Sequence, residues 1–266
     1  MDKAGSEILT ELQAVDGERT RRAREPALLS SVAAVKAFQH HRFGQTYADM
    51  LASPQFGPAA RFFLADLYGP RDYSDRDHQF ARVVPVLVRT LPKELLQTLA
   101  ALARLHALSE RLDSAMAQAL LLDSSPSGDK AGGARGRAGS ARGQELLDDI
   151  PYAAAWRKAS TPEHRRLQID LTLQVGAALE RFTHMRLLRQ SLRLMRAPAQ
   201  AAGLGALQRF LEVGFDTFKA MNGSDAFLAA IKSREQAYAA SLFAGADADA
   251  DATPAGAPQT RLIDLL

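Results

Sequence analysis

A histidine and a carboxylate fall on one line of a single helix between residues 92 and 123. Gln97, Arg104, Arg111 and Gln118 recur every seven residues and mark the wet side of that helix. The opposite line runs through Leu95, Leu99, Leu102, His106, Ser109, Asp113, Met116 and Leu120, which places His106 and Asp113 at depth. An ionisable group there is costly unless a metal, a ligand or another side chain pairs with it. Glu235 has the same character, in register with Ile231, Tyr238 and Leu242. With Glu110, four residues beyond His106, these side chains are the donor types of a carboxylate metal site, so His106, Glu110, Asp113 and Glu235 are the candidate ligands. The Glu-x-x-His pattern of di-iron bundles is absent from the sequence, and a hydrogen-bonded polar network inside a helical core is the competing reading. A lone helical histidine is also what a haem axial ligand looks like, and Phe62 and Phe63 would then edge the pocket of His106.

A second chemistry is electrostatic. Arg186, Arg189, Arg193 and Arg196 form an i, i+3, i+7, i+10 stripe that suits an anionic ligand or an acidic partner surface. The stripe lacks the interleaved aromatics of a single-strand binder, and a solvated, ion-paired face is the alternative. Leu262–Leu266 reads LIDLL, with Leu262, Leu265 and Leu266 ready to dock on the chain's own body or in a partner's groove. His40 and His41 are adjacent on a helix and point about 100° apart, so they do not share an ion. Asp72, Asp75 and Asp77 gather at a helix start, with Ser74 and Asp77 spaced as a capping box. Gly203 and Gly205 follow no strand and read as close-packing positions. No Walker A, G-x-S-x-G, H-E-x-x-H or kinase signature occurs.

The elements that must position these groups are helices. The chain has 266 residues, 47% of them hydrophobic, and no cysteine, which excludes disulfides and thiolate chemistry. The spacing predicts helices over 6–24, from Pro26 to Met50, from Pro58 to Leu67, from Ser74 through Pro85, over 92–123, 145–159, 162–196 with a break near Thr183–His184, 198–221 and 224–243. Asn222-Gly223 is a helix stop. Two stretches are too poor in apolar residues to form a core. Residues 124–143 carry Lys130, Arg135, Arg137 and Arg142 against Asp129, and 244–260 carry Asp247, Asp249 and Asp251. These charges cancel, leaving the body +3 of the overall +3, so no global field selects nucleic acid. The acidic start lacks the pattern of a signal peptide, and no run reaches the length of a membrane span, so the expected location is cytoplasmic.

The runs FFLADLYGPRDYSDRD, at Phe62–Asp77, and LRLMRAPAQAAGLGALQRFLEVGFDTF, at Leu192–Phe218, resemble a family of helical proteobacterial proteins to which no activity is assigned. The resemblance implies one continuous helical body and a bacterial cytoplasmic setting, and assigns no residue a role.

The expectation is an all-α domain of eight to ten helices, with 1–123 and 144–243 as halves of one core, 124–143 as a disordered linker and 244–266 as a disordered acidic tail. The leading functional reading is a non-enzymatic binding or regulatory protein with a protein partner. A metal- or haem-dependent helical enzyme built on His106, Asp113 and Glu235 competes with it.

Overall fold

The computed structural model describes residues 3–67, 73–124 and 147–250. Residues 125–146, which hold nearly all of the expected linker, and residues 251–266, which hold the LIDLL segment, lie outside the described residues.

Among the described residues the chain is all-α, with twelve helices rather than eight to ten, and one π-helical turn. They are α1 (Lys3–Arg24), α2 (Pro26–Thr46), α3 (Ala48–Ala52), α4 (Gly57–Phe62), the π turn (Phe63–Leu67), α5 (Ser74–Thr90), α6 (Lys93–Ser124), α7 (Asp149–Ala159), α8 (Pro162–Thr183), α9 (Arg186–Leu194), α10 (Arg196–Ala201), α11 (Gly205–Met221) and α12 (Asp225–Ala250). None is long and apolar enough to cross a membrane.

The extra helices come from punctuation that periodicity does not show. The helix expected over 198–221 is two, because Gly203 takes φ +70° and turns the chain between α10 and α11. Gly203 is therefore a turn glycine, and Gly205, with nothing near its missing Cβ, is no packing contact either. Beyond α4 the backbone widens into the π turn where adjacent Phe62 and Phe63 are both buried. Phe62 stacks on Phe210, and Phe63 meets Phe218 and Phe227. The capping box at Ser74 does not form: α5 is N-capped by Tyr73 without a side-chain cap bond, and Asp77 is used elsewhere. Asn222, at φ 50°, ends α11 in the left-handed cap that the Asn-Gly pair predicts.

Helix α6 is the axis of the molecule. It packs against α1, α2, α7 and α8, so it is buried nearly all round, and between its exposed ends only the stripe Gln97, Arg104, Arg111 and Gln118 stays wet. Many of its buried positions are small or charged, among them Ala103, Ala107, Glu110, Ser114 and Ala117. Alanines let four neighbours approach closely. His106, expected on the deepest line, is only half-buried toward α5. At one end of α6, Leu28, Val35, Phe38, Met116, Tyr152 and Trp156 join α2 and α7 in one apolar cluster. Farther along, Tyr47, Met50, Phe63, Phe218, Met221 and Phe227 knit α2–α4 to α11 and α12. Burial of side chains of this size, each worth about 1.5–3 kcal/mol, carries the fold.

Candidate functional site: a paired charged interior and a basic–apolar helix

The groups singled out in the sequence resolve into three ion-paired networks. Glu110, on α6, is held by two cations. Arg22 of α1 donates to its carboxylate and to its backbone carbonyl, and Lys36 Nζ of α2 lies 2.6 Å from Oε1. Arg22 also donates through Nε to Ser114 Oγ at 2.8 Å. Burial opposes the charge on Glu110, but Lys36 and Arg22 outweigh it and bring the carboxyl down to about 2. Asp113, one turn on, accepts a 3.0 Å bond from Gln39 and sits 4.0 Å from Lys36. Burial pushes its carboxyl up.

His106 pairs elsewhere. Its Nε2 is 2.8 Å from Asp77 Oδ2, and the same oxygen takes a 2.8 Å bond from Arg19. Arg76 reaches the other oxygen at 3.2 Å. Against the cost of burial, His106, Arg76 and Arg19 hold the Asp77 carboxyl well below the usual range. Asp77 is thus a tertiary ion-pair residue rather than a helix-start charge. Glu235 forms the third network: Arg42 grips it with two bonds of 2.8 and 3.0 Å, and Tyr47 Oη donates to it at 2.8 Å. That attraction outweighs burial and raises Arg42 above its ordinary value.

His106, Glu110, Asp113 and Glu235 therefore do not meet. Glu110 and Asp113 share Lys36, whereas His106 pairs with Asp77 and Glu235 with Arg42. Among the described residues no three His, Asp or Glu are grouped to hold a metal ion. Phe62 and Phe63 pack toward α11 and α12, not against His106. A further buried cation, Arg165, lies 3.4 Å over the Trp156 ring and bonds Ser160 and Gln168; burial lowers it to about 10. A cavity lined by Phe43, Tyr47 and Phe63 and another beside Arg193 and Phe215 hold about 10 Å³ each, room for one water at most.

Sequence reasoning missed Arg22, Lys36 and Arg165, and gave Asp77 only a helix-start role. Two of them had a signal. Arg22 continues the register of Ile8, Leu12 and Val15, and Arg165 that of Thr172 and Val175, so each cation sits in phase with a buried face.

The surface is different at α9. Arg189 pairs with Asp216 at 2.8 Å, and Arg196 with Glu212 at 2.6 Å, so the acidic groups of α11 occupy two members of the arginine stripe. Arg193 stays exposed between them, over a shallow depression lined also by Phe215. The Arg186 side chain and the residues Leu262, Leu265 and Leu266 lie outside the described residues. Leu188 and Leu192 turn toward the body, leaving Leu187 and Leu194 at 77% and 78% exposure two turns apart on one side. Met185 and Met195 flank them, also exposed. These apolar residues were not singled out in the sequence, although their seven-residue spacing is visible there.

Among the described residues, fold and surface define an all-helical bundle with an internally ion-paired interior and, at α9, an exposed basic–apolar helix. The chain belongs to the family described as a domain of unknown function, DUF8198, whose family model matches residues 18–249. No curated protein and no solved structure matches it.

Proposed function

We propose that the chain is a non-enzymatic, cytoplasmic helical binding protein that uses α9 to hold an acidic, amphipathic segment of a protein partner. The observation that carries this reading is the exposure of Leu187 and Leu194 on one side of a helix that also carries an exposed cation, Arg193. Large apolar side chains grouped on a surface and rimmed by charge mark interaction sites. Burying the two leucines supplies roughly 3–6 kcal/mol. Association costs about 4–15 kcal/mol, so Met185, Met195 and bonds from Arg193 to partner carboxylates must contribute as well. Helix α11 is the internal precedent: its Glu212 and Asp216, one turn apart, already engage Arg196 and Arg189.

The test compares full-length protein with the Leu187→Asp/Leu194→Asp variant as bait in cells. Both positions are exposed, so the fold should survive. Loss of a bound partner from the variant, with unchanged circular dichroism and melting temperature, is the expected result. Identical partners on both baits would overturn the reading.

A further inference from the structure

We infer that the segment received by α9 is residues 262–266, LIDLL, of a second copy of this chain. The inference rests on the reading of α9 as a binding face and names its occupant.

The first argument is complementary chemistry. Residues 185–196 contain four arginines and no acid; Arg189 and Arg196 hold Asp216 and Glu212, Arg193 is exposed, and leucine and methionine side chains are exposed among them. Residues 244–266 are the converse: Asp247, Asp249, Asp251 and Asp264 against Arg261, ending in four large aliphatic side chains around one aspartate. Leu122 and Ile150 are also strongly exposed, but Asp148 and Asp149 adjoin Ile150 and would repel this segment, and Asp123 beside Leu122 already holds Lys158. Residues 124–143 offer cations but no aliphatic side chain larger than alanine.

The second argument is reach. Gly176 of α8 faces Leu228 near the start of α12, while Arg165, near the start of α8, stacks on Trp156, which touches Tyr238 farther along α12. The two helices therefore run antiparallel. Helix α9, which follows the end of α8, lies toward Asp225, and Ala250 lies at the opposite end of α12, about 39 Å away for a helix of that length. Residues 251–261 span at most about 36–40 Å when fully stretched. A tail held straight to its limit is a poor tether, whereas a neighbouring copy can bring its α9 within easy reach. The contact is heterologous, and two chains exchanging tails would close it.

The experiment uses the full chain carrying Leu262→Ser, Leu265→Ser and Leu266→Ser as receptor and a dye-labelled peptide of residues 259–266 as probe. Fluorescence anisotropy should show saturable binding that added salt weakens and that Leu187→Asp/Leu194→Asp reduces at least tenfold. In sedimentation velocity the unmodified chain should self-associate with rising concentration, and the tail variant should stay monomeric. Absence of saturable binding, or binding indifferent to the α9 substitutions, would overturn the inference. So would a peptide that binds while the unmodified chain stays monomeric throughout, because the tail would then close on its own body. If the peptide fails but the α9 variant still loses its cellular partner, the inference falls and the binding-face reading stands.

Discussion

Replacing Glu110 with Leu should be among the most damaging single changes in the interior. Arg22 is 4% exposed and cannot swing to water, and Glu110 is the only carboxylate among the described residues that it reaches. Ser114 Oγ and the backbone carbonyl of residue 110 remain as acceptors, but neither neutralises the guanidinium. Leaving a buried charge without its partner costs about 3–5 kcal/mol. That is a large share of a total stability of about 5–15 kcal/mol. With a urea slope near ~3 kcal/mol/M, the midpoint should fall by roughly 1–2 M. The double variant Arg22→Met/Glu110→Leu removes both charges and should recover at least half the loss, because an apolar pair of similar volume substitutes well for a buried ion pair. Lys36, less deeply placed, can extend its amine to solvent. A Glu110→Leu protein within about 1 kcal/mol of the parent, or a double variant no better than the single, would refute this account of the interior.

Acid should unfold the protein in a defined window. Glu110 and Asp77 are both depressed, so their contributions are complete above the ordinary carboxylate range and are lost as pH falls; Glu110, going from 4.5 to about 2, accounts for roughly 3 kcal/mol of denaturation free energy lost by pH 2. Asp113 is raised and acts in the opposite sense, its contribution fading as pH rises; Asp113→Asn, which can still accept from Gln39, should cost under about 1 kcal/mol at pH 7 and remove that part of the fall in stability as pH rises above the ordinary carboxylate range. His106→Leu should cost about 1–3 kcal/mol in urea titration, since Asp77 keeps Arg19 and Arg76. Gly57→Ala should lower stability by roughly 1–3 kcal/mol, because a Cβ there would stand 2.8 Å from the backbone carbonyl of Leu51, which cannot rotate away.

Helix placement was legible because it follows local rules. Pro26 starts α2, the break at His184 ends α8, and Asn222 and Gly223 close α11, each through its own backbone geometry. The wet stripe of α6 was legible for the same reason. What neighbours do to a helix was not. His106 and Glu110 differ by one turn, yet four packed helices bury the second while α5 leaves the first half open. Partners are likewise a tertiary property: Glu235 meets Arg42 across 193 positions of sequence and Glu110 meets Arg22 across 88, separations no local pattern encodes. The arginine stripe was visible as a stripe, but its use was hidden, because Glu212 and Asp216 come from another helix.

The binding face can be examined directly by placing a photo-crosslinking residue at position 191. Ser191 is exposed between Leu187 and Leu194, and Gln97, on the wet stripe of α6, gives a control site. Irradiation of living cells should yield a discrete crosslinked protein species from position 191 and none from position 97. The species should vanish when Leu187→Asp and Leu194→Asp are added. A chain that crosslinks equally from both sites, or only to solvent from position 191, would contradict the assignment of α9 as the surface through which this protein acts.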